Sequence, residues 1–318
     1  MRYYMKQYII CLIILMVIVS AEARTVELTL HPAKSAKSEN RYQLLVKANE
    51  KSDTDAAPLY EKAVQSLPDN LKMDEINQWL KIPPDKLPKK QVQSVLEQLK
   101  PVFKLVEQAA KCKQCYWPYL DDDTLSQTLA EYRKLLFLLA LQVRFQVAHD
   151  SYDDAISAMQ TGFGMARHLG EDPGLLRGLV GIGMAAYMCR QIEQFVQRPD
   201  APTLYQALRD LPQPFIDLTK QAEWEEPDIK EKVYLLMDRL DRHVAALQCI
   251  EAIRLYTGLH ENKFPGHLSV ITDVRVPVDP VTKKPFSYES TGLEAILEVE
   301  GAEGSEGRDA IRYELKLK

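Results

Sequence analysis

The sequence is poor in the residues from which metal sites, nucleophilic sites and phosphate-binding loops are usually built. It holds 6 histidines, 5 cysteines and 13 glycines in 318 residues. The histidines form neither an H-E-x-x-H motif nor an i, i+4 pair, and Ser269 has no G-x-S-x-G frame. Gly174, Gly178, Gly181 and Gly183 lack the G-x-G-x-x-G spacing and a preceding strand, so they indicate close helix packing. The sequence therefore predicts no catalytic residue, no metal and no cofactor.

The chain also lacks an apolar run long enough to cross a bilayer. The run Ile9–Ala21 falls short of the ~20 residues that a spanning helix needs. Arg2 and Lys6 give it a basic start, and Ala21-Glu22-Ala23 is an A-x-A cleavage site. These features predict a signal peptide over residues 1–23, cleaved near Ala23, and a protein exported to the periplasm or the outside. The alternative is an uncleaved membrane anchor.

Basic residues are not in excess. Removal of Arg2, Lys6 and Glu22 with the signal peptide changes 40 basic and 45 acidic side chains to 38 and 44, a net charge of −6. Nucleic acids and anionic membrane surfaces recruit proteins through basic patches. The sequence therefore predicts no nucleic-acid partner, and membrane contact only through an uncleaved N-terminal segment.

Helical periodicity dominates the rest of the chain. Two apolar runs, Leu135–Val143 and Gly178–Cys189, lie within the stretch Leu125–Val196 and predict buried helical hairpins. A helical pattern also begins near Arg41, and a long one covers Asp228–His260. We therefore expect a mainly α fold in which stacked, repeat-like helical hairpins are followed by a long helix.

Strands are predicted at both ends of the mature chain. Residues Thr25–Leu30 alternate apolar and polar side chains, as do Ala310–Leu317, and Ala295–Val299 is a further candidate strand. The last two predict a small antiparallel C-terminal module. The resulting domain prediction is a signal peptide at 1–23, a helical hairpin domain at 24–226, and a long helix plus small antiparallel sheet at 227–318.

One segment resembles a tetratricopeptide repeat. Ala56, Tyr60, Ala63, Val64 and Pro68 match the second helix of that repeat position for position. The residues before them do not match its first helix. The resemblance implies a helix whose small residues let a neighbouring helix approach closely.

A second resemblance covers most of the mature chain. The segment Leu204–Leu208 followed by Leu211–Leu218 is similar to a Leu-Tyr-x-Ala-Leu…Leu-Pro-x-Pro-Phe-Ile-Asp-Leu signature of an uncharacterised family of exported bacterial proteins. Gln206 stands where that family tends to have tryptophan. Other shared features are the helix Ala56–Pro68, Cys115 close to Trp117, and Ala166–Leu169. The resemblance implies export and a helical architecture, and no activity.

The C-terminal tail is similar to that of the major pseudopilins of type II secretion. It carries Tyr256, Phe264-Pro265 and the proline-rich segment Val276–Tyr288. In those proteins a long helix runs into such a loop and a small antiparallel sheet. The present chain lacks their N-terminal methylation segment, so the resemblance implies the fold of the tail and not fibre assembly.

Four cysteines remain after export, and two of them form a C-x-x-C pair at Cys112 and Cys115. An oxidising compartment permits a disulfide between them. Half of a zinc site, a redox dithiol and two separately packed thiols are the alternatives. Cys189 and Cys249 lie on apolar helix faces, so we expect buried thiols there.

Two hypotheses for the function follow. The first is an exported helical scaffold that binds another envelope protein through anchors such as Trp79, Trp117, Tyr205 and Trp224, for which core packing is the competing interpretation. The second is an envelope enzyme, hydrolase-like, with a site built from distant residues. A deep pocket with convergent titratable groups of displaced pKa would favour the second. The oligomeric state stays open.

Overall fold

The computed structural model describes residues 24–33, 42–172, 174–219, 227–301 and 310–318. The predicted signal peptide at 1–23 and Trp224 lie outside these residues. The described residues are mainly helical, with nine α-helices and six strands. Among them no helix is both long and apolar enough to cross a membrane. The helices are α1 Ala57–Gln65, α2 Met73–Trp79, α3 Lys89–Gln98, α4 Lys100–Ala110, α5 Asp122–Val147, α6 Tyr152–Gly170, α7 Leu175–Phe195, α8 Tyr205–Arg209 and α9 Pro227–Leu259. The strands are β1 Arg24–Leu30, β2 Ser52–Asp55, β3 Cys112–Gln114, β4 Ser287–Thr291, β5 Glu294–Val299 and β6 Ile311–Leu317.

The core is built around α5, α6 and α7, which pack against one another. This confirms the prediction of packed helices in the stretch Leu125–Val196. A Cβ added to Gly181 would lie 2.7 Å from the carbonyl oxygen of Ala166, so glycine lets α7 approach the backbone of α6. The interpretation of these glycines as packing residues is confirmed at Gly181.

The larger sheet is mixed, which corrects the prediction of an antiparallel module. Its strand order is β1-β6-β5-β4, and β1 runs parallel to β6 with Val26 opposite Tyr313. The other two pairs are antiparallel, as predicted for β5 and β6. The sequence cannot show this pairing, because β1 and β6 lie at opposite ends of the chain. Leu28 and Leu30 of β1 are buried, so this strand covers part of the core.

The helical pattern predicted from Arg41 onwards is wrong for the described residues 42–56. They hold a short 3-10 helix at Ala48–Glu50 and strand β2, which pairs in parallel with β3. Serine, threonine and aspartate in this segment favour turns and extended backbone over helix. The tetratricopeptide-like helix is present as α1, with Tyr60 and Ala63 fully buried. Its main helical neighbour is α4, which lies further along the chain.

A single hydrophobic cluster joins both predicted domains. It includes residues of β1, α4 to α9 and the C-terminal sheet, such as Leu28, Val143, Ile250 and Tyr313. Helix α9 contacts α7, α8 and β5. The boundary at residue 226 stays a prediction.

Candidate functional site

A cavity of about 500 Å³ opens where α2, α5, α7 and β1 meet. Four of its lining side chains are cationic, and we call it the basic pocket. These cations are Arg24 of β1, Lys81 after α2, Arg144 of α5 and Arg190 of α7. The remaining lining residues are Asn77, Leu80, Tyr187, Gln191, Glu193 and Gln194.

Arg144 is a buried cation held by neutral groups. Its Nε donates to Oε1 of Gln191 at 3.0 Å, and one terminal nitrogen donates to the carbonyl oxygen of Ile82 at 2.6 Å. Only 8% of the residue is exposed. Burial lowers the pKa of the Arg144 guanidinium, yet arginine keeps its charge. The described residues place no carboxylate within ion-pair distance of Arg144.

Arg190 is the second cation for which no described carboxylate lies within ion-pair distance. It lies on α7 next to Gln191 and is half-buried. Burial lowers its pKa first, the nearby positive charge of Arg24 lowers it further, and the negative charge of Glu193 opposes both without cancelling them. Two guanidinium groups therefore repel each other at the wall of the pocket.

Glu193 fixes the position of Arg24. It is 1% exposed, and its Oε2 pairs with the Arg24 guanidinium. Its Oε1 accepts hydrogen bonds from Nε2 of His243 at 2.9 Å and from the hydroxyl of Tyr313 at 3.1 Å. The carboxylate thereby joins α7, α9, β1 and β6.

The protonation states in this cluster follow from its geometry. Burial alone would raise the pKa of Glu193, but the hydrogen bond from His243 and the positive charge of Arg24 outweigh it and hold the pKa below its usual value. Burial lowers the pKa of His243. Glu193 is therefore ionised and His243 neutral at pH 7, with the ring hydrogen on Nε2 because an ionised carboxylate only accepts.

The pocket carries a surplus of positive charge. Against Arg24, Lys81, Arg144 and Arg190 stands one carboxylate, Glu193, and its charge is already matched by Arg24. Three cations are left over. Converging cations with donors only are the chemistry of an anion site.

The predicted disulfide residues do not line this pocket, and Cys112 contacts α4 and α6 instead. None of the four described cysteines is bonded to another in the structure. The Cys112 thiol is buried and donates to the carbonyl oxygen of Gln108 at 3.3 Å, and it lies 3.2 Å from the hydroxyl of Thr54. The pKa of Cys115 is raised by burial and by nearby Asp55. The bridge between Cys112 and Cys115 stays a prediction, and packed thiols account for these contacts. The prediction of buried thiols at Cys189 and Cys249 is confirmed.

An aromatic cluster surrounds this cysteine pair. Tyr60 stacks on Trp117 with ring centroids 5.6 Å apart, and its hydroxyl donates to Nδ1 of His168 at 2.9 Å. The other ring nitrogen of His168 donates to the carbonyl oxygen of Cys112. Burial lowers the pKa of His168 to about 4. These groups are satisfied by one another, so the cluster is structural.

The proposed aromatic anchors mostly belong to the core. Trp79 and Tyr205 are buried, and the Tyr205 hydroxyl donates to the carbonyl oxygen of Arg275. Trp117 is half-buried, and its indole nitrogen donates to the carbonyl oxygen of His168. Core packing, the competing interpretation, therefore fits Trp79 and Tyr205. Gln206, where the resembling family has tryptophan, is buried and bonds to Asp210.

None of the pocket residues was singled out from the sequence. For the pocket residues on helices, the feature of the sequence that could have pointed to them is a charged residue on an otherwise apolar helix face. Arg144 follows buried Ala140 by one turn of α5, and Glu193 follows buried Cys189 by one turn of α7. In the described part of the chain, no three His, Cys, Asp or Glu side chains are grouped to hold a metal ion.

No protein-family description, curated protein or solved structure matches this chain.

Proposed function

We propose that this protein is an exported binding protein of the cell envelope, whose basic pocket holds a small anionic ligand. The single observation that carries the proposal is the pair Arg144 and Arg190, two desolvated cations without a carboxylate partner among the described residues, on one cavity. Burying an uncompensated charge costs several kcal/mol. A bound anion would offset this cost, because it supplies the missing negative charge.

The pocket supports a small-molecule site better than a featureless scaffold surface. Its volume of about 500 Å³ lies in the range of ligand sites, roughly 300–1,000 Å³. Its titratable groups converge and have displaced pKa values, the feature that would favour an enzyme. Binding is nevertheless the better proposal. Oε2 of Glu193 is paired with Arg24, and Nε2 of His243 is bonded to Glu193, so neither of these atoms is placed to take a proton from a ligand.

Export is part of the proposal and has its own test. Arg24 follows the predicted cleavage site directly, and it is also the first residue of β1. Cleavage after Ala23 would therefore leave the strand and the pocket cation intact. N-terminal sequencing of the protein from the native host should give Arg24 as its first residue. A mature chain that begins after Arg24 would lack a pocket cation and would contradict the proposal.

A protein partner in the envelope is the second candidate. Tyr116 and Tyr119, on the segment between β3 and α5, are 66% and 97% exposed. Exposed tyrosines are frequent anchors of protein interfaces. In-host crosslinking should recover one defined envelope protein, and the double variant Tyr116→Ser, Tyr119→Ser should lose it. Recovery of random neighbours would count against this candidate.

Calorimetric titration tests the anion site. We expect at least one member of a panel of small anions to bind saturably at one site per chain. Arg190→Gln should weaken that binding by about tenfold or more, because it removes a charge-assisted contact. Arg209→Gln, which removes an exposed arginine of α8, is the matched control and should bind as the wild type does. Equal binding by both variants would contradict the proposal.

A further inference from the structure

The cations of the basic pocket come from four separate parts of the chain. Arg24 belongs to β1, Lys81 to the connector after α2, Arg144 to α5 and Arg190 to α7. All four line one cavity, and only Arg24 is paired with a carboxylate among the described residues. A ligand in this cavity therefore lies next to cations contributed by four elements.

The number of unused donors is large. Arg144 keeps one terminal nitrogen beyond its bonds to Gln191 and Ile82. Arg190 has all five N–H donors available, since no described group accepts from it. Lys81 is exposed at the rim and adds three more. The one lining carboxylate is occupied by Arg24, His243 and Tyr313, so the acceptors that remain are the neutral side chains of Asn77, Tyr187 and Gln194.

This arrangement discriminates between anion chemistries. A carboxylate is planar, has two oxygens, and is suited to one bidentate guanidinium. A phosphoryl group presents three oxygens around a tetrahedral centre and carries up to two charges. It can accept from two guanidinium groups on different sides and still face the Lys81 ammonium. The match to Arg144, Arg190 and Lys81 is therefore better for the phosphoryl group.

We infer that the ligand of the basic pocket carries a phosphoryl dianion, as inorganic phosphate or as a phosphomonoester. The inference rests on the proposed function, since it specifies the anion that the same pocket binds. Arg190 and Lys81 contact the phosphoryl oxygens, and Arg144 supplies N–H groups that its bonds to Gln191 and Ile82 leave unused. Arg24 is a positioning residue, held in place by Glu193.

The pocket has room for more than the phosphoryl group. One water occupies about 30 Å³ in the liquid, so a five-atom anion fills only part of a cavity of about 500 Å³. The remaining lining is Asn77, Tyr187, Gln194 and Leu80, which is mostly polar. A polar substituent on the phosphate, such as a glycerol or a sugar, fits this lining. The same phosphoryl group could be free, carried by a small ester, or presented by a lipid headgroup.

Competition calorimetry on the full mature chain tests the inference. The probes are inorganic phosphate, glycerol phosphate, vesicles with phosphatidic acid, and succinate as a dicarboxylate of equal charge, at about 0.15 M ionic strength. We expect at least one phosphoryl probe to bind about tenfold or more tightly than succinate. The phosphoryl probe that binds best identifies the source.

Two variants link the preference to the pocket. Arg190→Gln and Lys81→Gln should each weaken phosphoryl binding by about tenfold, while Arg209→Gln should not change it. Lys81 is exposed, so its variant tests the inference even if the arginine variant folds poorly. Succinate binding as tightly as every phosphoryl probe, with loss in Arg190→Gln, would overturn the phosphoryl inference and leave the anion site standing. Failure of every phosphoryl probe to bind would overturn the phosphoryl inference, and failure of the whole anion panel would remove the proposed function as well.

Discussion

Nε2 of His243 donates a 2.9 Å hydrogen bond to Oε1 of Glu193, and this bond joins α9 to α7 inside the protein. The other carboxylate oxygen of Glu193 pairs with Arg24 at the wall of the basic pocket. One buried carboxylate thus connects the interior with the candidate site. Whatever disturbs Glu193 should affect both folding and binding.

Glu193→Ala should destabilise the fold by about 3–5 kcal/mol, because it leaves Arg24 and His243 without their buried partner. Urea denaturation measures this loss. The control is Glu298→Ala, which removes a half-exposed carboxylate that pairs with Arg312. Surface pairs contribute about 0–1 kcal/mol. A Glu193→Ala variant as stable as this control would contradict the assigned cluster.

The free energy of unfolding should decrease as the pH is lowered from about 6.5 to about 4, because of His168. The pKa of His168 is about 4 in the folded protein against 6.5 without burial. Between these values the unfolded chain binds a proton that the folded chain does not, so the unfolding free energy decreases as pH falls. The difference between the folded and unfolded pKa values of His168 corresponds to about 3 kcal/mol of unfolding free energy. The lowered pKa of His243 acts in the same direction.

The variant His168→Gln should lose the part of this pH dependence that His168 contributes, while the part from His243 remains. Its unfolding free energy, measured in urea between about pH 7 and pH 4, should change less steeply than that of the wild type. His149→Gln removes an exposed histidine and should keep the wild-type slope. Identical slopes for the wild type and His168→Gln would show that His168 titrates normally.

Gly181→Ala should destabilise the protein although alanine favours helix. Its Cβ would lie 2.7 Å from the Ala166 carbonyl oxygen and 2.9 Å from the Gly170 nitrogen. Backbone atoms cannot shift without disturbing the helices to which they belong. We therefore expect the free energy of unfolding, measured by heat or urea, to fall by about 1–3 kcal/mol. Gly266→Ala is the control, since no heavy atom beyond its chain neighbours lies within 4 Å of its added Cβ. Equal stability of the two variants would exclude the close α6–α7 contact.

Peptide mapping of the exported protein decides the state of the cysteine pair. A peptide joined through Cys112 and Cys115 would confirm the predicted bridge, and two free thiols would show it to be wrong. Cys189 and Cys249 should react with an alkylating agent only after unfolding. Both are fully buried, and burial raises the pKa of Cys249 to about 12. Reaction of Cys249 in the native protein would contradict its position.

Local patterns in the sequence predict much of the fold. The long helix over Asp228–His260 appears as α9, and the alternation at Ala310–Leu317 appears as β6 with Ile311 and Tyr313 buried. Periodicity succeeds here because each element buries one face, or all faces, of a regular structure. Periodicity does not predict the parallel pairing of β1 with β6, because the local pattern of a strand does not identify the distant strand that it pairs with.

The candidate site is harder to predict for the same reason. Arg24, Lys81, Arg144 and Arg190 are separated by tens of residues and belong to four segments. No motif relates them. An apolar helix that includes an arginine predicts burial of that arginine, but only the packing of α5 against α7 shows that Arg144 and Arg190 share a cavity.

The most direct test of the account is a nuclear magnetic resonance titration of the Arg190 side chain. The Nε–H resonance of Arg190, identified by its absence in Arg190→Gln, should shift with saturation as the tightest-binding phosphoryl probe is added, and the shift should follow the calorimetric binding curve. The Nε–H resonance of Arg209 should stay in place. Saturable binding that leaves the Arg190 resonance unchanged would contradict the account, because the anion would then occupy a different site.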